Sequence, residues 1–379
     1  MSRVPIVRHR CSWCRGFGIG PFGPARLLPP DIHHVLLPSL LIKLKRVGLP
    51  LDSTITLSLP AAFGVLVVCF AILTKCADWF VDGAVGIAEH FDVPKMLIGI
   101  VLVSLSTTAP ELAVSINSAI QGFPEIALGN AIGSVIVDDT VAIGLAALVA
   151  TSPILVDRHL LKTTGIFLVV ADLVLYAMAW NGTLGRIEGG ILLILFVGYT
   201  VYTYRTRWRA GEEADFEELA DIEEAIAGKT LKTLVFWFVV GLVGVLVASH
   251  GIVEAGTVIA TAFGISEAVI GLTLFAIGTS LPEIATGITA ARRGHGEIVV
   301  GNILGADVLN VCWIAGASAV VNPLVVTSEF IHFSIPTMLF VVILMLVLMR
   351  TRHQLSKTEG VVLLVVYAIY LPLAAKYLL

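Results

Sequence analysis

Long apolar blocks alternate with short polar punctuation along most of the chain. They fall near 59–88, 95–121, 125–150, 158–180, 187–204, 232–263, 267–291, 297–321, 329–349 and 358–378. Each approaches the roughly 20 apolar residues that a helix needs to cross the hydrocarbon layer of a bilayer. The alternating segments of about ten residues that mark a membrane β-barrel are not seen. The pattern predicts an all-α polytopic membrane protein with about 10 transmembrane helices. One long polar interval, 205–231, holds eight acids between Glu212 and Glu224 and divides the blocks five and five. The expected organisation is a first five-helix repeat over 56–204, an acidic cytoplasmic loop over 205–231 and a second five-helix repeat over 232–379. Residues 1–55 differ in kind and carry 8 of the 24 Lys and Arg residues. They read as a poorly ordered extension, and their lone Cys11–Cys14 pair falls short of the four ligands of a structural zinc site.

Composition narrows the function. Of 379 residues, 57% are hydrophobic and 14% charged, where a soluble domain carries about 25% charged residues. The net charge of −4 leaves no basic footprint for a nucleic acid. Gly228-Lys229-Thr230 resembles the end of a phosphate loop, but Glu223 stands where the first glycine would be required, so no nucleotide is expected. His90, His250 and His295 lie toward block ends and nothing positions a nucleophile. The chain reads as no enzyme, and no cofactor is expected. Basic residues set the orientation. Loops after odd-numbered blocks carry 13 of them (Lys95 to Lys357), whereas those after even-numbered blocks, with the C-terminus, carry only Arg186 and Lys376. The odd-side loops are therefore assigned to the cytoplasm of a cell whose plasma (inner) membrane holds the protein.

The chain also repeats itself at an offset of 172 residues. Gly99–Val149 and Gly271–Val321 align without a gap, with 17 of 51 positions identical. The matches include the polar positions: Thr107 with Thr279, Pro110 with Pro282, Glu111 with Glu283, Asn130 with Asn302. One predicted span precedes the first copy and six precede the second, so the copies enter the membrane from opposite sides. Inverted repeats of this kind are the architecture of secondary transporters, with the ion site near the midplane at broken helices. Pro110 and Pro282 are the expected helix breaks, and the carbonyls around Ser104 and Ala276 are the expected freed acceptors.

Glu111 and Glu283 sit deep in spanning blocks, where an ionised carboxylate costs at least about 2.5–3.5 kcal/mol. A bound divalent cation offsets that cost and their mutual repulsion. Hard cations such as Ca2+ take six to eight oxygen ligands. Glu111, Glu283, Thr107, Thr108, Thr279 and Ser280 supply carboxylates and hydroxyls, and no His or Cys joins them to favour zinc or copper. Hydroxyls at these places can alternatively bond back to helix carbonyls, and Asn130 and Asn302 can alternatively tie the broken helices. Asp138 and its repeat equivalent Asn310 are placed to face the same pocket. Asp138 would be a third acidic ligand, making the negative charge exceed that of Ca2+ and suiting exchange against more than one Na+ or H+. Asp139 and Asp307 are expected to point elsewhere, being adjacent to site positions on a helix. Asp172 stands isolated in its block, and Asp78, Asp82 and Glu254 are expected near water.

Gly278-Thr279-Ser280-Leu281-Pro282-Glu283, followed by Gly301-Asn302 and Gly305, resembles the α-repeat of the calcium:cation antiporter superfamily, its sodium/calcium exchanger branch most of all. Ser106-Thr107-Thr108-Ala109-Pro110-Glu111 with Gly129-Asn130 and Gly133-Ser134 is a looser second copy. The resemblance implies ten helices in a 5+5 inverted fold, exchanging Ca2+ for Na+ by alternating access, with blocks one and six sliding across the other eight. It implies Ca2+ held by Glu111, Glu283, Thr107 and Thr279. It implies Na+ sites from the carbonyls of Ser104 and Ala276 and the hydroxyls of Thr108, Ser280 and Ser134, with Asp138 and Asn310 at the centre. Ala306 stands where the second copy would carry a hydroxyl, which keeps H+ or K+ open as coupling ions. A cation channel is the less favoured alternative, because two inverted repeats come without a pore loop.

Overall fold

The computed structural model describes residues 58–91, 104–210, 224, 226–294 and 296–378. The extension at 1–55 and most of the acidic loop lie outside the described residues. Helix α1 is Leu59–His90 and α2 is Ser104–Gln121. Next come α3 (Pro124–Val149), α4 (Arg158–Ala179) and α5 (Arg186–Ala210). The second half repeats the series with α6 (Leu231–Phe263), α7 (Glu267–Thr279) and α8 (Leu281–Arg293). It closes with α9 (Val299–Val321), α10 (Phe330–Arg350) and α11 (Lys357–Leu378). Eight helices among the described residues are long and apolar enough to cross a membrane, and the bent pair α7–α8 makes nine.

Local chemistry explains the helix ends. Thr230 caps α6, its hydroxyl accepting from Thr233 N at 3.4 Å. Gly264 ends that helix at φ 64°, a left-handed conformation that costs glycine no side-chain clash. Asp157 caps α4 through a carboxylate oxygen that accepts from His159 N and from Leu160 N at 2.8 Å.

Two short antiparallel strand pairs join the halves. Strand β1 (Ile154–Leu155) pairs with β4 (Gln354–Leu355), Ile154 opposite Leu355. Strand β2 (Thr183–Leu184) pairs with β3 (Leu324–Val325), Leu184 opposite Leu324. Each pair takes one strand from each repeat, and the repeat operation exchanges the two pairs. The β1–β4 pair joins two odd-side loops and the β2–β3 pair two even-side loops, as the alternation of spans requires.

Among the described residues packing forms two main apolar clusters and a small third one of Val81, Val85, Ile226 and Leu234. The larger core draws on α3 to α5 and α7 to α11, with Ile132, Ile136, Leu168, Leu192, Ile303, Phe330 and Leu363 fully enclosed. In α3 and α9, 78% of the most apolar window is buried, against 22% in α1 and α6. A second cluster centres on α1 and α6 and includes Leu66, Leu73, Val245 and Ile252. These two helices touch through small residues. A Cβ on Gly241 would stand 2.3 Å from Phe80 N, and one on Gly83 2.5 Å from Phe238 N. Small residues that let backbones meet are the means by which membrane helices gain packing energy, since lipid offers no hydrophobic contrast.

Candidate functional site

The site forms where α2, α3, α7, α8 and α9 meet. Proline creates it on the second side. Pro282 has no N–H to give the Gly278 carbonyl, Ser280 leaves helical geometry at ψ 6°, and α7 and α8 bend by 42°. Glycine brings the facing helix close. A Cβ on Gly133 would meet the Leu272 carbonyl at 2.7 Å, and one on Gly271 would meet the Ile126 carbonyl at 2.8 Å. Thus α3 of the first repeat and α7 of the second lie backbone to backbone beside the break.

Glu111, Glu283 and Asp138 are all 0% exposed. The Ser280 hydroxyl donates to Glu111 Oε1 at 3.4 Å, a bond from one repeat to the other, and also lies beside Asp138. Glu111 and Asp138 lie within electrostatic reach of Glu283, and the Thr107 hydroxyl is close to Glu283 without making a hydrogen bond to it. Among the described residues no Lys, Arg or His forms an ion pair with these acids. The second carboxylate oxygen of Glu111, both of Glu283 and both of Asp138 lack a hydrogen-bond donor, as does the amide of Asn310. Thr108 and Ser134 are buried in the same region, and the Ser134 hydroxyl has no partner. Among the described residues no three carboxylates, thiols or imidazoles close on a single point as a metal cage would. Hydroxyls and main-chain oxygens would have to complete any cation's shell.

Asp138 and Asn310 each lie in a π-helical turn, Asp138–Ala142 and Leu309–Ile314. Such turns add a residue to the helical circuit and recur at functional sites. Asn130 is the residue that joins most of the site. Its amide donates to the Glu111 carbonyl at 3.3 Å and to Ser115 Oγ at 3.0 Å, and its Oδ1 accepts from Thr279 Oγ1 at 3.2 Å.

Three expectations need correction, those for Pro110, the Ala276 carbonyl and Asp172. Pro110 does not break its helix. It lies inside a continuous α2, where it removes one hydrogen bond without ending the turn, so the expected break is realised at Pro282 alone. The Ala276 carbonyl is not free, because it accepts from Ser280 N at 3.0 Å; the carbonyl that Pro282 cannot serve with an N–H is that of Gly278. Ser104 lies in α2 at the edge of the described residues. Asp139 and Asp307 do turn away from the glutamates, yet they are fully buried and face each other. Nor is Asp172 isolated, since its buried carboxyl lies within electrostatic reach of both. This second group of acids was missed because adjacent positions were assumed to diverge by a regular helical step. The available signal was the occurrence of three apolar-block acids whose equivalents in the other copy are Val311, Val135 and Leu344.

Inverted halves, a proline break and unpaired buried carboxylates define the class as a secondary ion transporter. Comparison with known proteins then gives the family. The family described as "Sodium/calcium exchanger protein" matches residues 61–205 and 233–375, and the chain belongs to it. The chain is 32% identical over 263 residues to the inner membrane protein YrbG of Escherichia coli, covering 69% of this chain and 80% of that one. It is 29% identical over 343 residues to the sodium/calcium exchanger MaX1 of Methanosarcina acetivorans, covering 82% and 97%. Among solved structures it is similar to the sodium-calcium exchanger NCX_Mj soaked with Na+ and Ca2+, at TM-score 0.55 and 29% identity over 81% of this chain and 96% of that one. The protein is a multi-pass membrane transporter of the cation/calcium exchanger class and not an enzyme.

Proposed function

We propose that the protein is an antiporter of the plasma membrane that exchanges Ca2+ for Na+ by alternating access. The observation that carries this reading is the Ser280–Glu111 bond between repeats, with Glu283 and Asp138 beside it and no basic partner among the described residues. Buried carboxyls without a basic partner are neutralised by bound cations or by protons, and a ligand set made of oxygens suits a hard cation. In this reading Ca2+ is held by Glu111 and Glu283 with the hydroxyls of Thr107 and Thr279. Na+ uses the hydroxyls of Thr108, Ser134 and Ser280, main-chain oxygens near Ser104, Ala276 and Gly278, and a central position at Asp138 and Asn310. Three carboxylates exceed the charge of one Ca2+, so more than one monovalent ion is needed to replace it at similar net charge.

The test is radioactive Ca2+ uptake into vesicles under an imposed Na+ gradient, K+ gradient or pH gradient. The reading expects uptake driven by Na+ and abolished in Glu111→Gln. Uptake driven by the pH gradient and indifferent to Na+ would replace it with a cation/proton exchanger.

A further inference from the structure

The two copies of the repeat are alike in sequence at Asn130 and Asn302 but are not alike in bonding. Asn130 is fully buried: its amide donates to the Glu111 carbonyl and to Ser115 Oγ, and its Oδ1 shares the hydroxyl of Thr279 in the opposite repeat, at 3.2 Å, with the Phe275 carbonyl at 3.0 Å. The repeat operation predicts the same clamp for Asn302, on the Glu283 carbonyl, position 287 and Thr107 Oγ1. None of it is formed. Asn302 is partly exposed and among the described residues makes no side-chain hydrogen bond, and Thr107 Oγ1 has no partner. Beside the Glu283 carbonyl stands Thr286 Oγ1 at 3.2 Å, which lies nearer to the Pro282 carbonyl at 2.9 Å. Position 287 is Gly287, so the second clamp also lacks the hydroxyl that Ser115 gives the first.

Inverted repeats are related by a pseudo-two-fold axis in the membrane plane, so letting each copy take the other's conformation turns an opening on one face into an opening on the other. A contact closed in one copy and open in the other is therefore expected to reverse between states. We infer that Asn130 and Asn302 are the two arms of a reciprocal latch, Asn130 holding the access state described here and Asn302 holding the opposite one. Both are positioning residues: each acts on Thr279 or Thr107 and on a glutamate backbone, not on the ion. The latch is unequal, because Ser115 strengthens one arm and Gly287 leaves the other short. The resting balance between states is tilted accordingly.

The inference rests on the exchanger reading and is tested by Ca2+/Ca2+ exchange of labelled Ca2+ in right-side-out and everted vesicles, which present opposite faces to the medium. Apparent affinity at a face scales with the fraction of protein open to it. A general loss of binding moves both faces together, so the ratio of the two half-saturating concentrations isolates the balance between states. Loss of a hydrogen-bonded arm is worth roughly three- to tenfold in that balance. Asn130→Ala is expected to shift the ratio roughly three- to tenfold in one direction, and Asn302→Ala by a smaller factor in the other. Gly287→Ser is expected to move it in the same direction as Asn130→Ala, by strengthening the opposing arm. There is room for it: a Cβ there meets only Val299 Cγ1 at 3.4 Å, Ala146 Cβ at 3.9 Å and the Ala142 carbonyl at 4.0 Å. Ser115→Ala is the milder variant should Asn130→Ala fail to fold, and it is expected to shift the ratio in that direction too. Shifts of the same sign in Asn130→Ala and Asn302→Ala, or ratios unchanged in Ser115→Ala and Gly287→Ser while exchange proceeds, would overturn the latch alone. Absence of any Ca2+ exchange by the parent protein would overturn the exchanger reading and the latch with it.

Discussion

Replacing Glu283 by glutamine keeps the shape of the side chain and removes one buried charge, so it separates what the carboxylate costs the fold from what it gives the ion. The cost follows from its surroundings. Glu283 is fully enclosed, both its oxygens lack a donor, and its neighbouring acids are Glu111 and Asp138. On insertion scales an ionised carboxylate at membrane depth costs about 2.5–3.5 kcal/mol, and repulsion from two further acids adds to that. The gain is the attraction for a divalent ion. One unit charge against another at 4 Å in a medium of effective dielectric 20 is worth about 4 kcal/mol, and the term doubles for Ca2+ before the desolvation of the ion is counted. Even half of the smaller figure, about 2 kcal/mol, is a roughly thirtyfold loss of affinity. Glu283→Gln is therefore expected to weaken Ca2+-dependent exchange at least thirtyfold and to raise the melting temperature of the ion-free protein in detergent. It is also expected to abolish most of the further stabilisation that added Ca2+ gives the parent. Vesicle flux and thermal unfolding with and without Ca2+ measure both halves. A variant that exchanges Ca2+ within threefold of the parent, or whose ion-free form melts lower, would refute the reasoning.

Other substitutions probe the remaining features. Asp138→Asn is expected to reduce Na+-driven Ca2+ flux at least tenfold, and adding Asn310→Asp, which returns the acid to the equivalent place in the other repeat, is expected to restore part of it in the same assay. Asp172→Leu, the residue type of the equivalent position 344, is expected to raise thermal stability with exchange kept within threefold, because it removes a buried carboxyl without a protein donor; a lower melting temperature would count against this. Gly241→Val places a branched side chain where even a Cβ would stand 2.3 Å from Phe80 N, and is expected to cost several kcal/mol, read as loss of monodisperse protein in size-exclusion chromatography.

Much of this was open to reading in the chain itself. The apolar blocks gave the helices because a bilayer demands about 20 apolar residues of each, a constraint with few other solutions. The 172-residue offset gave the architecture, and the rarity of acids at membrane depth singled out Glu111 and Glu283. What escaped depended on geometry finer than periodicity. A π-helical turn begins at Asp138, and the meeting of the neighbouring Asp139 with Asp307 across the repeats is a contact that spacing along the chain does not specify. One proline interrupts its helix and its twin does not, since proline removes a bond in either case and the surrounding packing decides whether the helix continues. Strands of two residues carry no periodic signal at all, and the asymmetry of Asn130 and Asn302 belongs to a conformation, which identical residues cannot announce.

The paired strands β1–β4 and β2–β3 bind the halves together at opposite faces of the membrane. A rocker that pried one five-helix half from the other would have to tear both sutures on every cycle. In the exchange proposed above, motion between access states is therefore expected among the helices that these sutures leave unjoined. A disulfide welded between cysteines placed at Ile154 and Leu355 should thus leave ion exchange running.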